Sequence, residues 1–186
     1  MNKLVLLFCL PIAFMLPSAQ AADWKMDPAG STLMFIPSFE KIPVPGIFRA
    51  FNVRVSFDPE TPANSVLKVS IDVTSADLYI ADVNKEISGK DWFDYRNFPQ
   101  AEFHATNLQH KQGSQYLASG TLYLKGVKQP LEVLFNWNSS ANGATLEGEL
   151  TLSRATFGIG TGEWATSEII GSDVKVTFMI KLHRVD

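Results

Sequence analysis

The chain has 186 residues, 46% of them hydrophobic and 19% charged, with 16 basic residues against 19 acidic ones and a formal net charge of −3. A chain of this size suits one domain with its own hydrophobic core. A single cysteine and the lack of a basic tract exclude a disulfide framework, a cysteine-based metal centre and a nucleic-acid partner.

Residues 1–21 read as a signal peptide. Lys3 gives the positive start, Leu4 to Leu16 form the apolar stretch, and Pro17-Ser18-Ala19-Gln20-Ala21 ends in the small-x-small pattern, with cleavage expected after Ala21. The apolar stretch is shorter than the about 20 residues that a spanning helix needs. Cys9 lies inside this leader, so the mature chain, residues 22–186, is expected to be an exported domain without a thiol.

Beyond the leader, period-2 alternation dominates, the signature of strands with one wet face. Thr32 to Ile36 is the first expected strand. Phe51, Val53, Val55 and Phe57 then alternate with polar residues, as do Leu67, Val69, Ile71 and Val73. Asp58-Pro59-Glu60-Thr61-Pro62-Ala63-Asn64 supplies turn chemistry between the two, which predicts a hairpin. The segment Ala81 to Asn97 breaks the pattern. Val83, Ile87 and Lys90 are spaced as on a helix, and the aromatic run Trp92-Phe93-Asp94-Tyr95-Arg96-Asn97-Phe98 follows.

Five further strands are expected over Ala101 to Leu108, Tyr116 to Lys125, Leu131 to Trp137, Leu146 to Leu152 and Val174 to Leu182. A second long connection, Arg154 to Ser172, carries Phe157, Ile159 and Trp164. The fold class is therefore all-β. Eight antiparallel strands suit a closed up-and-down barrel, which leaves no open edge, with one short helix in the Ala81–Asn97 insertion. A two-sheet sandwich is the alternative.

Catalytic and metal signatures are lacking. Glu102 and His104 share a strand face, but it is the one opposite Phe103 and Ala105. Glu147 and Glu149 alternate with Leu146, Gly148 and Leu150, so they point to water. No serine elbow occurs, and no titratable group can be placed toward the interior. Gly158-Ile159-Gly160-Thr161-Gly162 lacks the βαβ context of a phosphate loop and reads as backbone freedom in the connection. What remains is apolar capacity, since an eight-stranded barrel is wide enough to be filled or to hold one small ligand. Small inward positions, Ala105, Ala118, Gly120 and Gly148, suggest interior room.

Several segments taken in order resemble the YceI family of bacterial periplasmic proteins. They are Phe57-Asp58-Pro59, Ser65-Val66, Ile71-Asp72, Ser75, Asp91-Trp92-Phe93-Asp94, Phe98-Pro99, Phe103, Gly120-Thr121-Leu122, Lys125-Gly126-Val127 and Pro130-Leu131. The resemblance runs from about Trp24 to Arg184. It implies a lipocalin-like antiparallel barrel in the periplasm whose interior holds an isoprenoid chain, either a polyprenyl or a ubiquinone-type lipid.

On this reading the ligand-binding residues are Phe35, Phe51, Val53, Phe57, Val69, Ile71 and Phe103 inside the barrel. Trp92, Phe93, Phe98, Phe157, Ile159 and Trp164 close its ends. No catalytic residue, metal or covalent cofactor is expected. The partner is an apolar lipid or quinone, with transient contact to a membrane or membrane protein left open, as is the oligomeric state. Two alternatives stand beside this reading: an enzyme acting on a lipid, and a filled barrel serving as an interaction module.

Overall fold

The structure is a computed structural model that describes residues 21–140, 143–166 and 168–185. The expected signal peptide lies outside the described residues, apart from Ala21. The strands in chain order are β1 (Ala22–Met26), β2 (Thr32–Ile36), β3 (Ser38–Phe39), β4 (Ile42–Pro43), β5 (Gly46–Phe48), β6 (Phe51–Phe57), β7 (Val66–Asp72), β8 (Ala76–Asp77), β9 (Gln100–His110), β10 (Gln115–Leu124), β11 (Val127–Ser140), β12 (Gly143–Ser153) and β13 (Asp173–Val185). One α-helix among the described residues, α1 (Ala81–Ile87), stands between β8 and β9.

Neighbouring strands pair antiparallel, and the sheet closes on itself because β13 pairs with β1 (Met26 opposite Leu182) and, further along, with β2 (Phe35 opposite Val176). Each of the first three wall positions is a strand broken in two. β1 and β2 are separated by a turn in which Asp27 accepts from the Ala29 amide, and together they face β6 and β5. β7 and β8, split by a turn at Val73–Ser75, face β6 and β5 in the same way. The result is an eight-stranded antiparallel barrel with one helix.

The expected hairpin of β6 and β7 is present, with Val53 opposite Val69. β1 was not legible as a strand, because only Trp24 and Met26 carry its inward face. At the β10–β11 turn Lys125 (φ 47°) and Gly126 (φ 74°) both take left-handed backbone, the two-residue geometry whose twist matches the flanking strands. A Cβ on Gly126 would stand 2.8 Å from the Phe98 ring, so glycine is required there twice over.

One end of the barrel is filled. Phe57, 1% exposed, packs on Trp137 (ring centroids 4.6 Å apart) and Tyr116 (5.0 Å), and Trp24 meets Trp137 edge-on at 5.3 Å. The small residues serve this packing and the backbone, which corrects the expectation that they leave interior room. Ala105 and Ala118 are fully buried. A Cβ on Gly120 would strike the His104 carbonyl beside a bulge between β9 and β10, and one on Gly148 would strike the Phe178 ring. Toward the other end the inward side chains no longer meet across the barrel, and a cavity begins there.

Candidate functional site

The cavity measures about 710 Å³, within the range of small-molecule sites. Its wall is made by the alternating inward residues of the strands. Phe35, Phe51, Val53, Val69, Ile71 and Phe103 all line it, and so do the less expected Leu33, Val133, Leu146, Leu150 and Phe178 from the opposite half. Phe57 does not reach it, because that position belongs to the filled end. Phe98 also stands apart, lying under the Gly126 turn.

The mouth lies between α1 with its aromatic continuation and the long β12–β13 connection. Trp92, Phe93, Phe157, Ile159 and Trp164 all line the cavity from these two segments. The aromatic run is folded as successive turns: the Trp92 and Asp94 amides donate to the Gly89 carbonyl, and Asp94 takes φ 52° with its carboxylate accepting from the Asn97 amide. Phe93 stands edge-on to Phe35 and Phe48 at 6.4 and 6.3 Å. Trp92 is buried against Trp164, with ring centroids 5.8 Å apart.

These two connections are clasped together. The Asp91 carbonyl accepts from the Gly160 and Thr161 amides at 2.7 and 2.9 Å, and its carboxylate accepts from the Thr161 hydroxyl at 2.8 Å. Lys125 Nζ donates to the Lys90 and Gly158 carbonyls, and burial lowers its pKa despite the nearby Asp94 and Asp91. Trp164 Nε1 donates to Glu86 on α1. Gly158, Gly160 and Gly162 all have positive φ, as expected of a connection needing backbone freedom.

At the centre of the connection is Arg154, 4% exposed. Its Nε donates to Gly171 O, its Nη1 to the Ile159 and Gly160 carbonyls, and its Nη2 to the Trp164, Thr166 and Ile170 carbonyls. Burial lowers its pKa, and no carboxylate among the described residues is bonded to it; main-chain oxygens balance the charge instead. A Cβ on Gly160 would collide with Nη1, so glycine makes room for the guanidinium.

Arg154, Asp82 and Glu86 all border the cavity, which corrects the expectation that no titratable group faces the interior. Asp82 and Glu86 sit on α1 and Arg154 opens the β12–β13 connection, all outside the strands, where strand alternation gives no rule for direction. Glu102 and His104 are exposed, and no cluster of metal-ligating residues occurs among the described residues. Tyr95, below Phe93, has its phenol pushed up to about 12 by burial, with the Asp72 charge adding to it.

A closed antiparallel barrel, filled at one end and hollow under two clasped connections at the other, defines the lipocalin-like class of ligand-cavity barrels. The chain belongs to the YceI-like domain family, whose family model matches residues 24–182. The crystal structure of Burkholderia cenocepacia BcnA is similar over 84% of this chain and 98% of that one, at 31% identity and a TM-score of 0.82. A polyisoprenoid binding domain from Saccharophagus degradans shares the fold, with a TM-score of 0.70 and 19% identity over 89% of this chain and 99% of that one. A UPF0312 protein of Photorhabdus laumondii is 31% identical over 117 residues, and the match spans 61% of this chain and 60% of that relative's length.

Proposed function

We propose that this protein binds one isoprenoid-type lipid, with a polyprenyl or ubiquinone-like chain, inside the barrel and carries or sequesters it in the periplasm after export by the leader through Ala21. The observation that carries the reading is a cavity of about 710 Å³ walled by aliphatic and aromatic side chains. Each buried CH2 contributes about 0.8 kcal/mol, so each five-carbon isoprene unit contributes roughly 4 kcal/mol and a few units outweigh the cost of association. The shared fold of the polyisoprenoid binding domain from Saccharophagus degradans supports the same ligand class.

Phe35, Phe51, Val53, Val69, Ile71 and Phe103 would contact the chain, with Trp92, Phe93, Phe157, Ile159 and Trp164 at the entrance. Binding rather than catalysis is supported by how two of the three ionisable groups at the wall are occupied: Arg154 is taken up by carbonyls and Glu86 by Trp164, while Asp82 is exposed at the rim. The test is solvent extraction of protein purified from its native source, followed by mass spectrometry. A stoichiometric isoprenoid is expected; repeated recovery of none, with the cavity intact, would refute the reading.

A further inference from the structure

We infer that the rim of the cavity mouth docks on the surface of a neutral lipid bilayer, so that a ligand passes between bilayer and barrel without crossing water. This deepens the lipid-binding reading above and rests on it for the origin of the ligand. Of the nine large apolar side chains exposed among the described residues, six surround the mouth: Phe39, Ile42, Tyr79, Ile80, Val83 and Ile169. Phe39, Ile80 and Val83 also line the cavity. Ile42 pairs with Phe39, the Glu40 amide donates to the Ile169 carbonyl at 2.7 Å, and Tyr79 adjoins Ile80. Ile42 is 65% exposed and Tyr79 63%.

The fold holds these groups outward against a backbone cost. Glu40 (φ 48°), Lys41 (φ 68°) and Tyr79 (φ 62°) are three of the five non-glycine residues with positive φ among the described residues, and all three sit on the rim. An aromatic residue in that region is strained. Asp77 pins it, accepting from the Tyr79 amide at 2.7 Å, from Asn84 Nδ2 and from Arg49, whose guanidinium lies over the Tyr79 ring at 5.5 Å. A pinned, contiguous apolar surface on an exported domain calls for something to cover it.

Two observations select a bilayer. First, the exposed rim and the cavity wall share side chains, so apolar surface runs unbroken from outside to inside. An isoprenoid leaving a membrane would then never expose its chain, which water penalises at every CH2. Second, the rim suits an interface and not a strongly charged surface. Tyr79 and Lys41 are residue types that settle at the headgroup level, and the rim's cations are balanced, Arg49 by its ion pair with Asp77 and Lys41 and Lys85 by Glu40, Asp82 and Glu86, which leaves no net basic cluster for an anionic leaflet to hold. Docking is therefore apolar insertion and independent of negative lipid.

The test is flotation of the purified protein with phosphatidylcholine vesicles, alone and mixed with phosphatidylglycerol, beside the double variant Ile42→Asp/Tyr79→Asn. Neither residue lines the cavity, and asparagine tolerates the left-handed backbone at position 79. The wild type is expected to float equally well with both vesicles, and the variant's vesicle partitioning is expected to fall by about tenfold or more. Absence of wild-type flotation, flotation on anionic vesicles only, or equal flotation of the variant would each overturn the inference. Uptake of a prenylquinone from detergent solution, measured on both proteins, separates the two readings. If neither takes it up, lipid binding fails while the flotation result still decides docking; if both take it up alike, the variant has lost docking alone.

Discussion

Replacing Arg154 with methionine removes the one group that gathers the β12–β13 connection. Five of its hydrogen bonds are 2.8–3.0 Å long and the sixth, to Thr166, is 3.3 Å. Hydrogen bonds to a charged donor are each worth about 1.5–3 kcal/mol net, but their sum would exceed the whole stability of a domain, so they cannot be added. Carbonyls freed in the variant recover water as the connection loosens, which limits the loss to about 3–5 kcal/mol, the range for breaking a buried charged network. At about 2–4 °C per kcal/mol for a domain of this size, the melting temperature should fall by roughly 6–20 °C.

The loss should be local first. Amide exchange should lose protection at Ile159 and Gly160, whose N–H groups bond to Arg154 O and Asp91 O, while β9 to β12 stay protected. Arg154→Lys keeps the charge but offers three donors where the guanidinium has five, so it should fall between wild type and Arg154→Met. If Arg154→Met melts within about 1 °C of wild type and keeps those amides protected, the clasp does not depend on the guanidinium and the argument fails.

The aromatic run should divide by role. Trp92→Ala, which empties a buried site against Trp164, should cost about 3–5 kcal/mol in a denaturant melt. Phe93→Ala, half-buried at the mouth, should cost about 1–2 kcal/mol and chiefly speed release of bound lipid, measured by stopped-flow dilution. Val133→Phe, which places a ring in the cavity, should leave stability within about 1.5 kcal/mol while co-extracted lipid falls severalfold by mass spectrometry. Asp77 is held down to about 2 by the Asn84 amide, the Tyr79 N–H and Arg49. A depressed carboxylate stabilises above its ordinary value of 3.8 and ceases to as pH falls through about 2, so the rim amide of Tyr79 should keep its protection at neutral pH and lose it only across that acid window, read by NMR.

The barrel was legible because closure obliges each strand to bury one face, and period-2 alternation records that directly in β6, β7 and β9 to β13. The broken wall positions were harder. β5 and β8 are two or three residues long, too short for any period, and they form because β2 and one another are there to pair with. Thr106 shows the same limit within β9: the bulge opposite Gly120 puts Thr106 and Asn107 both outward, and the alternation restarts at Leu108.

Alternation tells which side chains point inward, but not whether they meet across the barrel. Phe51 and Phe57 share one face of β6, yet Phe51 borders the cavity and Phe57 is locked among Tyr116 and Trp137. That difference is set by which residues stand opposite, a property of the closed barrel and not of either segment. Arg154 was illegible for a related reason: its partners are main-chain carbonyls, which every residue carries, so no spacing of side chains announces them. The only local trace was a basic residue opening a glycine-rich connection. The aromatic run and that connection therefore need each other. Asp91 and Lys125 bind the two connections to each other across the mouth while Arg154 gathers the main chain of the second, and the apolar rings hung from that frame can border a cavity without collapsing into it.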